Sequence, residues 1–304
     1  MRGLNDRHLY SVYFAPRGVR RMTQIGQQIA ERHLSPFDRL IGIVGEAGSG
    51  KSMLVKGMFP GLEMTNDDNG VNVRPLPVLS VDEDSFFSAH TYHVDIRFES
   101  AFTQMGTLAE AIEHALRIGK RVVVEHFDLL RPFISFNAEL LIGVGEEILV
   151  TRPTIFGPEP NDIATIVFKS IRYRKMAHTA EDLAERKLWE HYRGKYQHSD
   201  VRHGFVLEFD EKPDLDIAAI EAYVKERIAR DLPVSFHDEN HILIGEHLHQ
   251  CTGPRMHVRS TGEIEGFSML PELKYDPMNE NYLLVGLVGG LANQDVNDLN
   301  KLEL

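Results

Sequence analysis

The amino-acid sequence predicts an α/β protein in which a mostly parallel sheet carries helices on both faces and a smaller α+β domain follows. From residue 38 to about residue 200, short apolar segments typical of buried strands alternate with amphipathic helical segments. Such alternation favours a parallel sheet that is covered on both sides. After residue 200 the strand-like runs become shorter and are separated by Gly and Pro. We therefore predict two domains, residues 1–200 and residues 201–304.

Each element is predicted from its own local pattern. Residues 23–33 place Ile25 and Ile29 on one helical face, which predicts a helix packed against the sheet. The basic residues before this helix are interpreted as a solvated face: Arg17, Arg20 and Arg21. The predicted strands are Arg39–Val44, Leu76–Val81, Arg121–Glu125, Leu140–Val144, Ile148–Thr151 and Gly204–Phe209. The other predicted helices are Lys51–Phe59, Leu108–Ile118, Ala180–Tyr196 and Asp214–Ala229.

The most specific motif is the octapeptide Gly-Glu-Ala-Gly-Ser-Gly-Lys-Ser, which lies between a predicted strand and a predicted helix. Its order of Gly, four residues, Gly, Lys and Ser is that of the P-loop. Glycines let backbone N–H groups surround phosphate oxygens, and the helix N-terminus adds partial positive charge. We predict that ATP or GTP binds here with Mg²⁺, that Lys51 contacts the phosphates and that Ser52 ligates the metal. The predicted nucleotide-binding residues are Gly45, Glu46, Ala47, Gly48, Ser49, Gly50, Lys51 and Ser52.

Charged residues near other predicted elements are candidates for the remaining chemistry of phosphoryl transfer. Asp82 and Asp84 follow the second predicted strand, where an acid could take the proton of a substrate hydroxyl. Glu125 is the last residue of the third predicted strand, where a carboxylate could hold Mg²⁺ through water. Arg172 and Arg174 precede a helix and could neutralise phosphate as part of a lid. The alternatives are a solvated acidic turn for the aspartates and a snorkelling basic face for the arginines.

Four segments between residues 38 and 195 carry a family resemblance. They are the octapeptide, Asp84-Ser-Phe-Phe87, Val123-Val-Glu125, and Arg172-Tyr-Arg174 ahead of a helix that contains Trp189. This part of the chain resembles the uridine kinase and phosphoribulokinase group of P-loop kinases. The resemblance implies a P-loop NTPase-type fold and NTP- and Mg²⁺-dependent phosphoryl transfer to a small hydroxyl-bearing substrate such as a nucleoside. Lys51, Asp84 and Asp82 would be catalytic. The chain departs from the group at His126, where that group has Gly, and it has no clear Arg-Asp lid motif.

Three later segments carry a second resemblance, over about residues 204–290. They are Ala219–Val234, Cys251-Thr-Gly-Pro-Arg-Met-His257 and Ser260–Phe267. They resemble the second additional domain of alanyl- and threonyl-tRNA synthetases. The resemblance implies an editing site that hydrolyses mischarged tRNA, and metal ligands from a helical His-x-x-x-His pair and a later Cys and His. The alternative function is therefore a nucleotide-regulated binding or editing-like protein that recognises an aminoacyl group or tRNA.

The ligand set implied by this second resemblance is only partly matched. Cys251 and His257 fit the later pair if two residues are inserted between them. The upstream pair is represented either by His178-Thr-Ala-Glu-Asp182, with Asp in place of the second His, or by a His-x-x-x-His segment at residues 237–241, which follows the helix. Both alternatives remain open at this point.

A histidine-rich segment predicts a metal site independently of the resemblance. His247, His249 and Cys251 alternate, so a strand would project them to one face, and His257 follows a Gly-Pro turn. Thiolate and imidazole are the ligands that Zn²⁺ prefers. We predict a zinc site formed by His249, Cys251 and His257. The alternative is a polar strand face with hydrogen-bonded histidines.

Composition limits the compartment and the partners. The single cysteine excludes an intrachain disulfide and suits a reducing cytosol. No apolar run reaches the ~20 residues that a membrane-spanning helix needs, and the N-terminus lacks an apolar signal core. We therefore expect a cytoplasmic protein without a membrane partner. The net charge of −12 argues against broad binding to a phosphate backbone, so tRNA would have to bind a local basic patch.

Overall fold

A computed structural model of the chain describes residues 9–65, 76–81, 90–290 and 296–301. Two compact units make up this mixed α/β protein. The first comprises Val19–Lys169 together with the described residues up to Ala15, and the second comprises Pro16–Gly18 and the chain from Ser170 onward. The predicted boundary after residue 200 therefore falls inside the second unit. It differs because apolar side chains between Met176 and Leu188 pack into the core of that second unit.

The first unit is built on a six-stranded mixed sheet. Its strands are β1 (Ser11–Phe14), β2 (Leu40–Gly45), β3 (Thr91–Asp95), β4 (Arg121–Glu125), β5 (Leu140–Val144) and β6 (Glu147–Thr151). The spatial order is β1-β6-β5-β2-β4-β3. Neighbouring strands from β5 to β3 pair in parallel, whereas β6 pairs antiparallel with both β5 and β1. The predicted mixed α/β architecture with a mostly parallel sheet is confirmed.

Helices cover both faces of this sheet. Among the described residues up to 192, the α-helices are α1 (Val19–His33), α2 (Lys51–Met58), α3 (Ile96–Glu99), α4 (Met105–Arg117), α5 (Phe127–Leu130) and α6 (Pro160–Tyr192). Ile41 of β2 packs in a core with α1 and α2, whereas its neighbour Leu40 packs in a core with α4. Successive strand residues point to opposite faces, so the two cores lie on the two sides of the sheet. Of the helices described, none combines the length and apolar character needed to cross a bilayer.

Two predicted elements differ from the structure, and two strands were missed. The predicted strand at Leu76–Val81 is wrong, since Pro77–Ser80 forms a short 3₁₀ helix. Proline fixes φ near −65° and lacks an N–H for a sheet ladder, which favours this outcome. The strand beside β4 is instead β3, which the sequence analysis missed together with β1. The helix predicted from Ala180 begins at Pro160.

The second unit combines the later part of α6 with two small sheets. Its further elements are β7 (Gln197–Val201), β8 (Gly204–Phe209), α7 (Ile217–Ala229), β9 (Val234–Asp238), β10 (His241–Ile244), β11 (His247–Gln250), β12 (Ser268–Met269), β13 (Lys274–Asp276) and β14 (Asn281–Leu287). One sheet has the order β12-β14-β8-β7, with β13 also paired to β14, and the other has the order β11-β10-β9. The predicted strand at Gly204–Phe209 is confirmed. Helix α7 is capped by Asp216, whose carboxylate accepts the N–H of Ala219 at 2.9 Å, and not by Asp214.

Candidate functional site

The glycine-rich octapeptide forms the turn between β2 and α2. Gly50 precedes α2 with φ 97° and ψ 12°, a left-handed conformation that side chains rarely adopt. A Cβ atom at Gly50 would also lie 2.9 Å from Cε of Met22. The turn therefore favours glycine here because of its conformation, whereas the flexible end of the Met22 side chain could move aside. It places Lys51 and Ser52 in the first turn of α2, where unpaired backbone N–H groups favour an anion.

The Lys51 ammonium is buried inside this turn. Its Nζ donates to the carbonyl oxygen of Glu46 at 2.8 Å and lies 3.9 Å from Oε2 of Glu125. Burial lowers the pKa of Lys51, while the carboxylates of Glu125 and Asp95 oppose that shift. An anion that binds beside this ammonium would likewise favour its charged form.

Glu125 ends β4 as a buried carboxylate with three partners. The backbone N–H of Thr65 donates to Nδ1 of His93 at 3.2 Å, so the ring proton lies on Nε2, which donates to Oε1 of Glu125 at 3.2 Å. The hydroxyl of Ser52 forms a further hydrogen bond to Glu125. Burial alone would raise the pKa of Glu125, but the partners His93, Lys51 and Ser52 outweigh it and lower the pKa to about 2. Glu125 is therefore a carboxylate at neutral pH.

Asp95 is a site residue that the sequence analysis missed. It ends β3 and lies directly opposite Glu125 in the parallel register of β3 and β4. One carboxylate oxygen accepts the N–H of Phe98 at 3.0 Å, which caps α3. The signal that could have found it is an acid at the end of Thr91–Asp95, but that segment is less apolar than the misassigned Leu76–Val81. Asp82 and Asp84, the predicted acids, lie outside the described residues.

His126 follows Glu125 in a left-handed conformation, with φ 58° and ψ 45°. This conformation explains why a glycine suits the position, since a non-Gly residue at positive φ is uncommon. Burial and the nearby Lys51 charge lower the pKa of His126 to about 4, against the opposing charges of Asp95 and Glu125. The folded protein therefore holds this imidazole neutral.

We expect His126→Asn to reduce the acid sensitivity of the protein. A histidine in the unfolded chain has a pKa of about 6.5, so the unfolded state binds a proton more readily than the folded state does. The contribution of His126 to the free energy of unfolding is therefore fully present above pH 6.5. It is lost as the pH falls from 6.5 through about 4. Wild type should thus lose about 2 kcal/mol more unfolding free energy than the variant between pH 7.5 and 5. Asparagine tolerates the left-handed conformation and does not titrate.

Denaturant titration at the two pH values measures this difference. His90→Asn, at an exposed position of the same unit, is the matched control and should behave as wild type. An identical pH dependence of wild type and His126→Asn would contradict the expectation.

The predicted lid arginines belong to the second unit. Arg174 is buried, and its Nη2 donates to the carbonyl oxygen of Pro16 at 3.2 Å. Arg172 is exposed, and its Nη2 donates to the hydroxyl of Tyr173 at 2.6 Å. The role of both arginines in binding nucleotide stays a prediction.

A buried charged cluster lies along α6 in the second unit. Glu181 and Asp182 are buried, and Arg17 from the segment Pro16–Gly18 is buried with them. Nη1 of Arg17 donates to Oε2 of Glu181 at 2.7 Å, and Nη2 donates to Oδ1 of Asp182. Burial alone would raise the pKa of Asp182, but the Arg17 charge lowers it well below its usual range. The prediction of a solvated face is wrong for Arg17, whereas Arg20 is exposed.

Two more titratable side chains, His198 and Glu185, belong to this cluster. His198 lies between two carboxylates, with Nδ1 at 2.8 Å from Glu181 and Nε2 at 3.2 Å from Glu185. Burial lowers the pKa of His198, but the hydrogen bond to Glu181 outweighs this and the net shift is upward. Burial and the charge of Asp182 raise the pKa of Glu185 to about 7. Three carboxyl groups, the Arg17 guanidinium and the half-buried His198 imidazole therefore lie in one cluster.

Cys251 and His257 face Asp182 in this cluster. The hydroxyl of Thr179 donates to the carbonyl of Lys175 at 3.0 Å, so it accepts from Nδ1 of His257 at 3.1 Å. The free lone pair of His257 is then on Nε2, which lies 3.2 Å from Sγ of Cys251 and 3.7 Å from Oδ2 of Asp182. Burial raises the pKa of the Cys251 thiol to about 12, so the S–H group donates to His257.

The other histidines are distributed differently from the prediction. The His249 ring stacks on Trp189 with centroids 4.6 Å apart, and its Nε2 lies 3.7 Å from Asp182 and 4.0 Å from Glu185. His247 is exposed on the same strand. His241 instead pairs with Asp238 at 2.8 Å. Two segments were considered from the sequence for the first pair of metal ligands, residues 178–182 and residues 237–241. Asp182 of the first segment lies in the charged cluster, whereas His241 of the second is paired with Asp238.

Two groups of side chains in the described part of the chain have the composition and spacing to hold a metal ion. One is Asp182, Cys251 and His257, and the other is Asp182, Glu185 and His249, with ligand atoms within 4.8 Å of one another in each group. Cys251 and His257 are brought together as predicted, Asp182 joins them, and His249 falls in the second group. The donor types fit zinc, but the Arg17 guanidinium already bonds Asp182 and Cys251. A zinc ion, as predicted from the sequence, would have to compete with this guanidinium for the same two donors.

No protein-family model matches the chain, and no curated protein matches it significantly. Function is therefore inferred from the residues themselves.

Proposed function

We propose that the first unit binds ATP or GTP with Mg²⁺ and transfers the terminal phosphoryl group to the hydroxyl of a small substrate, with nucleosides as the acceptor class to test first. The observation that supports this proposal most is the convergence of Lys51, Ser52 and Glu125 at the carboxyl ends of β2 and β4. In open α/β sheets, ligands bind outside the carboxyl ends of parallel strands.

Phosphate binding follows from the turn between β2 and α2. Its backbone N–H groups and the N-terminus of α2 present positive partial charge to an anion. Lys51 would exchange its neutral partner, the carbonyl of Glu46, for negatively charged phosphate oxygens, which form stronger hydrogen bonds with an ammonium. Its burial keeps that ammonium in a region where water screens the attraction weakly.

The residues Ser52 and Glu125 suit a magnesium ion. A hydroxyl and a carboxylate that already contact each other are oxygen ligands of the kind Mg²⁺ takes, directly or through water. A bound Mg²⁺ would neutralise charge on the phosphate oxygens. The pKa of about 2 keeps Glu125 ionised for this purpose throughout the physiological range.

The acceptor hydroxyl must lose a proton as it attacks. Its oxygen forms a bond to the terminal phosphorus, the bond from that phosphorus to the bridging oxygen breaks, and the nucleoside diphosphate leaves. An acid at the strand ends would take the proton. Asp84 and Asp82 are the candidates from the sequence, and Asp95 is the candidate from the structure because it lies opposite Glu125.

We expect Asp84→Asn to reduce turnover by about 10² to 10⁴-fold while leaving triphosphate affinity nearly unchanged, because the acid acts on the acceptor. Diphosphate release in the presence of a nucleoside panel gives turnover, and calorimetry gives affinity. Asp82→Asn tests the other candidate from the sequence, and Asp95→Asn tests the candidate from the structure. Full turnover in all three variants would remove these acids from the mechanism, and no transfer to any hydroxyl compound would remove the proposed activity.

The alternative function, recognition of an aminoacyl group or tRNA by the second unit, receives less support. An editing reaction of the kind the resemblance implies would need a metal or substrate to contact Asp182, Cys251 and His257. Asp182 and Cys251 are already bonded to Arg17, and Cys251 is bonded to His257. Slow triphosphate hydrolysis together with tight binding of an aminoacylated RNA would favour the alternative over the kinase.

A further inference from the structure

Arg17 is bonded into the second unit at four positions. Nη1 donates to Glu181 at 2.7 Å and to the carbonyl of His178 at 3.4 Å, and Nη2 donates to Asp182 and to Sγ of Cys251 at 3.0 Å. The guanidinium therefore uses the planar, forked geometry that distinguishes arginine from lysine. Its side chain is only 3% exposed.

The segment after Cys251 packs closely against the Arg17 side chain. A Cβ atom at Gly253 would lie 3.3 Å from Cγ of Arg17, so a larger residue would press on its stem. The backbone N–H of Gly253 donates to Sγ of Cys251 at 3.3 Å. The sulfur thus accepts from two directions, from Gly253 and from Arg17, and both hold it at the centre of the cluster.

The Nη2 group bonds two of the three residues that converge as metal ligands. Nε2 of His257 lies 3.2 Å from Sγ of Cys251 and 3.7 Å from Oδ2 of Asp182. Ligand atoms on a tetrahedral zinc ion lie about 3.3 to 3.8 Å apart, given bonds of about 2.0 Å to nitrogen and 2.3 Å to sulfur. The two separations from His257 are therefore close to those on a zinc ion, and all three ligand atoms lie within 4.8 Å of one another. Thr179 fixes the His257 tautomer that a metal requires.

We propose that Arg17 is the resident cation of this cluster: it bonds Asp182 and Cys251 in place of a divalent metal, and removal of its guanidinium converts Asp182, Cys251 and His257 into a zinc site. A guanidinium and a zinc ion exclude each other here because both would need the same oxygen and sulfur, and because two cations at this separation in a buried region repel strongly. The proposal is independent of the nucleotide chemistry of the first unit.

The test uses the full-length chain without a histidine tag. The first variant is Arg17→Met, which keeps an unbranched apolar side chain and removes the charge. The second is Arg17→Met with Glu181→Gln, which removes one buried carboxylate together with the guanidinium. The two substitutions together leave the net charge of these positions at zero, as in wild type. The double variant replaces the single variant in the zinc measurements if Arg17→Met does not fold. The control adds Cys251→Ser to the folded variant.

We expect wild type to retain less than about a tenth of an equivalent of zinc after equilibration and dialysis, and the Arg17 variants to retain about one equivalent. Zinc should raise the unfolding temperature of the variants but not of wild type, since a ligand that binds only the folded state stabilises it. Cobalt should give a thiolate charge-transfer absorption in the variants that disappears with Cys251→Ser.

Two results would overturn the proposal. A full equivalent of zinc in wild type, lost with Cys251→Ser, would show that Arg17 does not take the place of the metal. A folded Arg17 variant that takes up no zinc would show that the three side chains do not form a metal site when the guanidinium is gone.

Discussion

Lys51→Ala is expected to weaken triphosphate binding by about 100-fold or more, which corresponds to about 3 kcal/mol, while leaving the affinity for the nucleoside unchanged. The reason is that the Lys51 ammonium is buried in the turn that would hold the phosphates, whereas a nucleoside carries no phosphate. Charge-assisted hydrogen bonds in such a weakly screened position are among the stronger polar contacts. Titration calorimetry with a triphosphate and with its nucleoside, both in Mg²⁺, measures the two affinities.

The matched control for this variant is Lys56→Ala, five residues further along the same helix. It removes the same charge and chain length from α2 and should bind the triphosphate as wild type does. Equal triphosphate affinity in wild type and Lys51→Ala would remove the turn between β2 and α2 from nucleotide binding, and with it the proposed kinase activity.

Arg17→Ala is expected to destabilise the second unit by about 3 to 5 kcal/mol, because it removes the guanidinium that bonds two buried carboxylates. Glu181 and Asp182 are both buried and both accept hydrogen bonds from the guanidinium. The pKa of Asp182, which burial alone would raise, should rise when the Arg17 charge is lost. Scanning calorimetry at neutral pH should show an unfolding temperature lower by roughly 10 °C.

Arg20→Ala is the control for this prediction, since Arg20 lies three residues away and is exposed. Its effect should stay within about 0.5 kcal/mol. Arg17→Lys should fall between the two, because lysine keeps the charge but cannot bond two carboxylates through a planar fork. If Arg17→Ala were as mild as Arg20→Ala, the cluster would not depend on the guanidinium.

The parts of the fold that could be predicted from the sequence are those with strong local patterns. The turn at residues 45–52 and the strands β2, β4 and β5 were predicted because a run of at least three apolar residues or glycines, or a fixed glycine spacing, identifies each of them without distant contacts. Strand β3 was missed because Thr91–Asp95 contains His93 and a terminal acid, and only its place beside β4 explains why they are buried.

The buried cluster could be predicted only in part. Cys251 and His257 are close in sequence, so their pairing was within reach of a local pattern. Arg17 lies 164 residues from Glu181 and 234 residues from Cys251. Within the basic run at residues 17–21, nothing local distinguishes the buried Arg17 from the exposed Arg20, so the contrast arises from the tertiary structure alone.

The short segment Pro16–Gly18 makes the second unit discontinuous in sequence. A fragment that starts at Ser170 would lack Arg17, so cutting the chain between the two compact units cannot yield an intact second unit. The same connectivity affects the order of events during synthesis. Arg17 leaves the ribosome long before Cys251, so its set of hydrogen bonds can be completed only after the chain beyond residue 251 has emerged. Completion of the second unit is therefore a late, long-range step of folding.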